Sequence, residues 1–371
     1  MSQFKDIKVL ELASVLAGPS VGQFFAELGA EVIKIENVRT GGDVTRTWKI
    51  AGEKTDDRSA YFCSVNWGKK SLALDLMTTE GRNIVHKLAA KSHIVIASYK
   101  PGDAEKLGVD YHTLSSNNPG LIYGQISGYG PQNPRVGYDA IIQAEAGFMF
   151  MNGEPGGPSL KMPVALVDVL AGHHLKEGLL LAMLEKVTTG NGKLVEVSLI
   201  QAAVSSLVNQ ATNWLVANKL PQKHGSAHPN IAPYGDVFIT ADKKELLLAV
   251  GNDRQFEDLC NVLEINGLSD DPRFKYNVAR VENREDLYIA LESKIGSQES
   301  TSLLRKIHGK KIPAAIIQDM QQVMEMPEVQ DLLISSNGIK SVRTFVASQH
   351  NVYLTPPPKL GEHNAEILKS L

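Results

Sequence analysis

The stretch MPVALVDVLAGHH, residues 162–174, sets one carboxylic acid, Asp168, between an apolar run and the start of a long apolar helix. Residue type alone gives that acid two roles. It can cap the helix or stand in its first turn, where free N–H groups and the helix dipole favour negative charge. It can also serve as a nucleophile, because a carboxylate kept ionised and fixed at a helix start beside apolar neighbours is poorly hydrated. The two roles do not exclude each other. His173 and His174 follow in the same stretch, about 140° and 240° around a helix from Asp168, so no same-helix Asp–His dyad forms. They read as polar residues on a partly exposed face.

Spacing excludes several other chemistries. The first strand-to-helix turn offers Gly18 and Gly22, a GxxxG, where dinucleotide binding needs GxGxxG, although Glu36 ends the second strand where a ribose acid could stand. GNGK at 190–193 has Val187 in place of the first glycine of a phosphate loop and Leu194 in place of its Ser or Thr, so it is a turn. His224 and His228 lack two further ligands at metal spacing, and no metal site is expected. A GxSxG nucleophile elbow is absent. Cys63 and Cys260 are the only cysteines, far apart and outside any CxxC, which argues against a disulfide framework and fits a reducing, cytoplasmic setting.

The elements that must position Asp168 follow from the apolar pattern. IKVLEL (7–12), EVIKIE (31–36), SLALDL (71–76), HIVIASY (93–99) and LIYGQISGYG (121–130) read as strands, with helices at 18–30 and 79–91 between them. Strands alternating with helices imply an α/β fold with a mostly parallel, Rossmann-like sheet. Long helices over 167–187 and 199–219 follow, joined by TTGNGKLVEVS. The Pro-, Gly- and His-rich stretch 221–236 marks a boundary, beyond which shorter elements suggest a smaller α+β domain. The expected division is a large domain over 1–200 completed by about 325–371, a linker helix and loop over 201–236, and a small domain over 237–324. With 371 residues, 43% hydrophobic, 21% charged and a net charge of −3, the chain is an ordinary globular composition without the basic excess that nucleic-acid binding needs. No signal peptide and no apolar run of roughly 18–20 residues is visible, so a soluble protein away from the membrane is expected.

Taken in order, VLELASVLAGPSVGQFFAELGAEVIKIE, GGDVTR, NWGKKSLALDL, YKPGDAEKLG, ISGYGPQNPRVGYDAIIQAEAG, MPVALVDVLAG, TGNGKLVEVSLIQA, HPNIAPYG and LGEH resemble the class III CoA-transferases, the group of formyl-CoA and carnitine CoA-transferases, over almost the whole chain. The resemblance implies that fold, a homodimer of interlocked ring-shaped chains, and no permanently bound cofactor, with acyl-CoA and a small carboxylic acid as substrates. It makes Asp168 the nucleophile, passing through an aspartyl mixed anhydride and an aspartyl-CoA thioester. It assigns CoA contacts to Val15, Leu16, Ala17, Arg39, Leu74, Ser98, Tyr99, Lys100, Lys106, Tyr138 and Asp139. Leu16 departs from the Gln usual in formyl-CoA transferases, and Lys106 from the Arg of many members. HGSAHPNIAPYG replaces the extended glycine loop of formyl-CoA transferases, pointing to a dicarboxylate such as succinate as the donor's acid. Relatives that racemise α-methylacyl-CoA use a His where this chain has Tyr138, so an acyl-CoA racemase is the alternative, with Asp253 near a carboxylate those enzymes use but read here as a helix cap. A non-catalytic acyl-CoA-binding protein is the remaining alternative.

Overall fold

The computed structural model describes residues 4–346 and 352–371. Residues 1–3, ahead of the first expected strand, and 347–351, within the C-terminal segment, lie outside the described residues. The chain divides into two compact units, one of residues 1–148, 161–219 and 331–371, the other of 149–160 and 220–330.

The first unit is built on six strands, β1 (Lys8–Leu12), β2 (Glu31–Asn37), β3 (Lys69–Leu74), β4 (Ile94–Ala97), β5 (Ile122–Ser127) and β6 (Leu194–Ser198). They lie in the order β3-β2-β1-β4-β5-β6, every neighbouring pair parallel. A parallel sheet is covered on both faces, which is why its strands are continuous runs of Val, Ile and Leu. In β4, Ile94 and Ile96 enter one apolar layer while Val95 and Ala97 enter the other. The strand order reverses between β1 and β4, and such a switch point opens a crevice at the carboxyl ends of the strands. At the outer edge, the terminal segment docks on β3: Ser71 N–H donates to His363 Nδ1 at 3.2 Å and Ala73 N–H to Asn364 Oδ1 at 2.9 Å.

Four helices place the site. α1 (Ala17–Glu27) follows β1 and is buried along its whole length. α2 (Thr79–Ala90) is N-capped by Thr78, and α3 (Asp139–Glu145) is a short helix after β5. α4 (Leu166–Thr189) buries Val167, Asp168, Ala171, Gly172, Leu175, Lys176, Leu179 and Ala182, a stripe at helical spacing. Gly172 lets α4 approach α1 closely, since a Cβ there would come within 2.6 Å of Ser20 Oγ and 3.2 Å of the Ala17 carbonyl.

Two sequence expectations about this first unit need correction. LVEVS, read as part of a connector, is the edge strand β6; five residues gain strand character only by pairing along β5. The single helix expected over 199–219 is two, α5 (Leu199–Ser205) and α6 (Val208–Leu215). The Ser205 and Ser206 hydroxyls both donate to the Ala202 carbonyl, and Val208 takes φ +38°, so local side-chain bonds and a left-handed turn replace a continuing helix.

The second unit carries an antiparallel sheet of β7 (Tyr234–Ile239), β8 (Glu245–Ala249) and β9 (Ala314–Ile316). Helices α7 (Asp253–Val262), α8 (Asn277–Glu282), α9 (Arg284–Ile295) and α10 (Ser300–Gly309) pack with it around Phe238, Leu246, Phe256, Leu291 and Leu303. Asp253 does not cap α7. Asn252 does, accepting from Gln255 N–H, while Asp253 pairs at 2.6 Å with the buried guanidinium of Arg280.

Candidate functional site

At the switch point of the first unit lies a cavity of about 300 Å³. The loop after β1 contributes Val15, Ala17 and Gly18, and the loop after β4 contributes Ser98, Tyr99 and Lys100. Tyr138, Asp139 and Asp168 complete the wall. A second cavity of about 590 Å³ shares Ser14, Val44 and Tyr99 with the first and runs along the ends of β1, β2 and β3 past Thr40 and Asp75. Tyr99 stands between the two, its phenol pushed up to about 12 by burial.

Asp168 is 8% exposed and sits in the first turn of α4. The N-cap residue, Ala165, offers no side-chain acceptor. Asp139, from the first turn of α3, supplies it instead: its Oδ1 accepts from Val167 N–H at 2.8 Å and from Asp168 N–H at 3.4 Å, and its Oδ2 accepts from Gln143 Nε2 at 2.7 Å. The capping duty that residue type suggested for Asp168 is therefore taken by a neighbour. Among the described residues, no group donates a hydrogen bond to the Asp168 carboxyl. Burial, with the negative charge of Asp139 in second place, pushes its pKa up to about 7. Full ionisation by the helix dipole was the sequence expectation; desolvation outweighs the dipole here.

Lys34, Glu36 and Asp43, which line the second cavity, belong to a set of buried charges that the sequence reading did not assemble. Lys34 Nζ is 2.9 Å from both Glu11 and Asp43, and Lys69 Nζ is 2.7 Å from Glu11. Arg46 forks onto Glu36 at 2.8 and 2.7 Å and stacks on the Phe62 ring, 3.8 Å from its centroid. Burial alone would lower the Lys34 pKa, but Asp43, Glu11 and Glu36 together raise it. The signal was present: Glu11, Lys34 and Lys69 lie in strands of a sheet covered on both faces, where an unpaired charge would be costly. Gly22 also acquires a reason, since a Cβ there would fall 1.8 Å from Glu11 Oε2. Glu36 is bound to Arg46 and Ser71, leaving no free ribose acid.

The remaining expected CoA contacts lie outside the first cavity's wall. Leu16 is the N-cap of α1. Leu74 is buried in the apolar layer beneath β3. Arg39 is at the surface, its side chain 63% exposed and 3.7 Å from Asp75, which lines the second cavity. Lys106 is exposed and paired with Asp103 at 3.0 Å.

The sequence model described as CoA-transferase family III matches residues 4–364. This chain belongs to CoA-transferase family III. It is similar to a succinate–glutarate CoA-transferase of Agrobacterium fabrum, 38% identical over 98% of this chain and 94% of the relative. It is also similar to the human succinyl-CoA:glutarate CoA-transferase, 32% identical over 99% of this chain and 87% of the relative. Among solved structures, a CAIB/BAIF family protein from Brucella suis superposes with a TM-score of 0.87 at 37% identity, covering 100% of this chain and 99% of the other. The mixed α/β architecture read from the sequence is therefore that of the family, and the protein is an enzyme of the CoA-transferase class.

For this family III transferase the Asp139–Asp168 pair predicts a pH effect. If ionised Asp168 carries the reaction, kcat/KM rises with pH through about 7. Asp139→Asn keeps an oxygen to accept from Val167 N–H but removes the negative charge, so Asp168 ionises more easily. The acid limb should then move to lower pH by roughly half a unit to one unit. An unmoved limb in a pH–rate profile would refute the electrostatic role of Asp139.

Proposed function

We propose that the protein moves CoA from a dicarboxylic acyl-CoA, succinyl-CoA first among candidates, to a second carboxylic acid through covalent intermediates on Asp168. The observation that supports this most is the Asp168 carboxyl itself, nearly buried, without a hydrogen-bond donor among the described residues, and facing a cavity at the switch point. Such a group, once ionised, is a weakly solvated nucleophile.

The carboxylate attacks the thioester carbonyl, the C–S bond breaks, and CoA thiolate leaves an aspartyl mixed anhydride. The thiolate then attacks the aspartyl carbonyl, the donor's acid departs as its carboxylate, and an aspartyl-CoA thioester remains. The incoming carboxylate attacks that thioester, expelling thiolate and forming a new anhydride. Thiolate takes the acceptor's acyl group, and Asp168 is regenerated. Each intermediate conserves the activation of the original thioester, so no ATP is consumed. The second cavity, with Arg39 beside it, is the proposed path for the nucleotide end of CoA, where a guanidinium suits phosphate oxygens. Lys100 and Tyr138, which line the first cavity, are proposed contacts along the same path.

The proposed assembly is the interlocked homodimer. In the first unit, α4 leaves Leu181, Leu184 and Val187 exposed, and α6 with its C-cap leaves Trp214, Leu215 and Val216 exposed, apolar surface that a second copy would cover. The proposed setting is cytoplasmic, a reading supported by two buried, unpaired cysteines. No helix among the described residues is long and apolar enough to cross a membrane.

The test is a panel of acyl-CoAs and free acids, including succinate, glutarate and monocarboxylates, assayed with the parent and Asp168→Ala. The parent should transfer CoA best between dicarboxylates, and the variant should lose about 10⁴-fold or more in kcat. Transfer undiminished in Asp168→Ala would end the nucleophile reading. Exchange of the α-proton without CoA transfer would instead identify a racemase.

A further inference from the structure

We propose that Asp43 is a positioning residue: it latches Val15 in a left-handed backbone conformation and thereby aims the Ala17 and Gly18 amides at the carbonyl that Asp168 attacks. The inference rests on the transfer chemistry proposed above, and it assigns the group that steadies the developing oxyanion.

Val15 takes φ +73°. A β-branched residue holds that conformation only where its surroundings over-determine it. Here they do so peptide by peptide. The Ala13 carbonyl accepts from Lys34 Nζ at 2.8 Å, and Ser14 N–H donates to Ser98 Oγ at 3.2 Å. Val15 N–H donates to both carboxylate oxygens of Asp43, each at 3.3 Å. The Leu16 carbonyl accepts from Ser20 N–H and the Ala17 carbonyl from Ser20 Oγ, both at 2.8 Å. The amides of Leu16, Ala17 and Gly18 are left over, none with a protein acceptor among the described residues, and of these three residues Ala17 and Gly18 line the cavity that holds Asp168.

The nucleophile is brought to those amides by α4. Gly172 lies against the Ala17 carbonyl and Ser20 Oγ, and Asp168 is one helical turn before Gly172 on the same face, roughly 6 Å along the axis. The carboxyl therefore stands beside the first turn of α1, and it is nearly buried, without a hydrogen-bond donor among the described residues. A thioester carbonyl between them would have its carbon toward Asp168 and its oxygen toward two free N–H groups.

The latch is itself anchored. Asp43 is buried, 2.9 Å from Lys34 Nζ, and it accepts from Thr45 N–H at 3.0 Å and Thr45 Oγ1 at 2.8 Å. Lys34 is in turn held by Glu11 at 2.9 Å. The loop is thus tied through one ion chain to β1 and β2, the strands beside the switch point. Oxyanion donors act only when preorganised, and a displacement of about 1 Å costs on the order of 10²-fold in rate.

The experiment is a cycle of Asp43→Asn and Val15→Gly, with steady-state kinetics and a thermal melt by circular dichroism for each variant. In the parent, Asp43→Asn should lower kcat by roughly 10²-fold while the KM for acyl-CoA changes by less than about threefold. Glycine adopts positive φ without steric cost. In the Val15→Gly background the same substitution should therefore lower kcat by no more than about fivefold. Equal losses in both backgrounds would overturn the latch. If Asp43→Asn does not fold, Val15→Pro decides the matter: it fixes φ near −65° and removes the N–H while leaving every buried charge paired. A folded Val15→Pro enzyme with parental kcat would overturn the latch, and a loss of about 10²-fold would support it. Asp168→Ala, run alongside, separates the two ideas. Transfer retained there would defeat the nucleophile, whereas the Asp43–Val15 coupling would still decide the latch.

Discussion

Asparagine in place of Asp168 is expected to leave a protein that no longer transfers CoA yet unfolds at a higher temperature than the parent at pH 8. The first half follows from loss of the proposed nucleophile. The second follows from burial, which raises the carboxyl from 3.8 in the unfolded chain to about 7 in the fold. Below about pH 4 the carboxyl is protonated in both states, and its contribution to stability is complete. Between about pH 4 and 7 the unfolded chain holds fewer protons than the native one, so stability falls by about 1.4 kcal/mol per pH unit. Above 7 the loss levels off at roughly 4 kcal/mol. Asparagine does not titrate and escapes that loss, although its amide, with no partner in the same pocket, gives back about 1–2 kcal/mol. A net gain of about 2 kcal/mol corresponds to roughly 5 °C in a unit of this size. Melting curves of the two proteins from pH 4 to pH 8 check it. The gap should be widest at pH 8 and close or reverse near pH 4, and a gap independent of pH would mean that the carboxylate is not held against desolvation.

Removing Arg46 should be the most damaging single change outside the cavity. Its guanidinium makes two bonds to Glu36, donates to the Pro358 carbonyl at 3.1 Å, and lies on the Phe62 ring. Methionine keeps contact with the ring but leaves Glu36 charged and buried, with only Ser71 Oγ and the Asp43 amide as donors among the described residues. The Glu36 pKa is already a contest: burial pushes it up, and the hydrogen bonds from Arg46 with the charge of Lys34 bring it below its usual value. Without Arg46, burial gains the upper hand, and Arg46→Met should cost about 3–5 kcal/mol. Adding Glu36→Gln should restore much of it, because the double variant buries no orphan charge. Urea midpoints at constant m-value provide the measurement. A single variant within about 1 kcal/mol of the parent would show that the pair carries no net weight.

How far the sequence could be read depended on the range of each interaction. The parallel strands were legible because a sheet covered on both faces demands the Val, Ile and Leu runs of β1 to β5. LVEVS was not, since a five-residue edge strand is defined by its partner β5. Asp168 stood out through its apolar setting, and its place in the buried stripe of α4 follows from helical spacing. Its state of charge could not be read, because that is set first by tertiary burial and then by Asp139, whose bond to Val167 spans 28 positions of sequence. Val15 carries no local sign of its positive φ: a β-branched side chain favours an extended backbone, and the Asp43 carboxylate that its N–H meets lies 28 positions away. Leu74 and Lys106, assigned to CoA through resemblance, stand in the apolar layer and on the surface respectively.

The docking of the C-terminal segment on β3 sets a timetable for synthesis. Ser71 and Ala73 find His363 and Asn364 across 292 and 291 positions of chain. At about 5–20 residues per second, the ribosome leaves that strand edge bare for roughly 15–60 s after it emerges. An uncovered edge is a template for pairing with other chains. The nascent chain therefore carries an adhesive margin that stays exposed until His363 and Asn364 have been made.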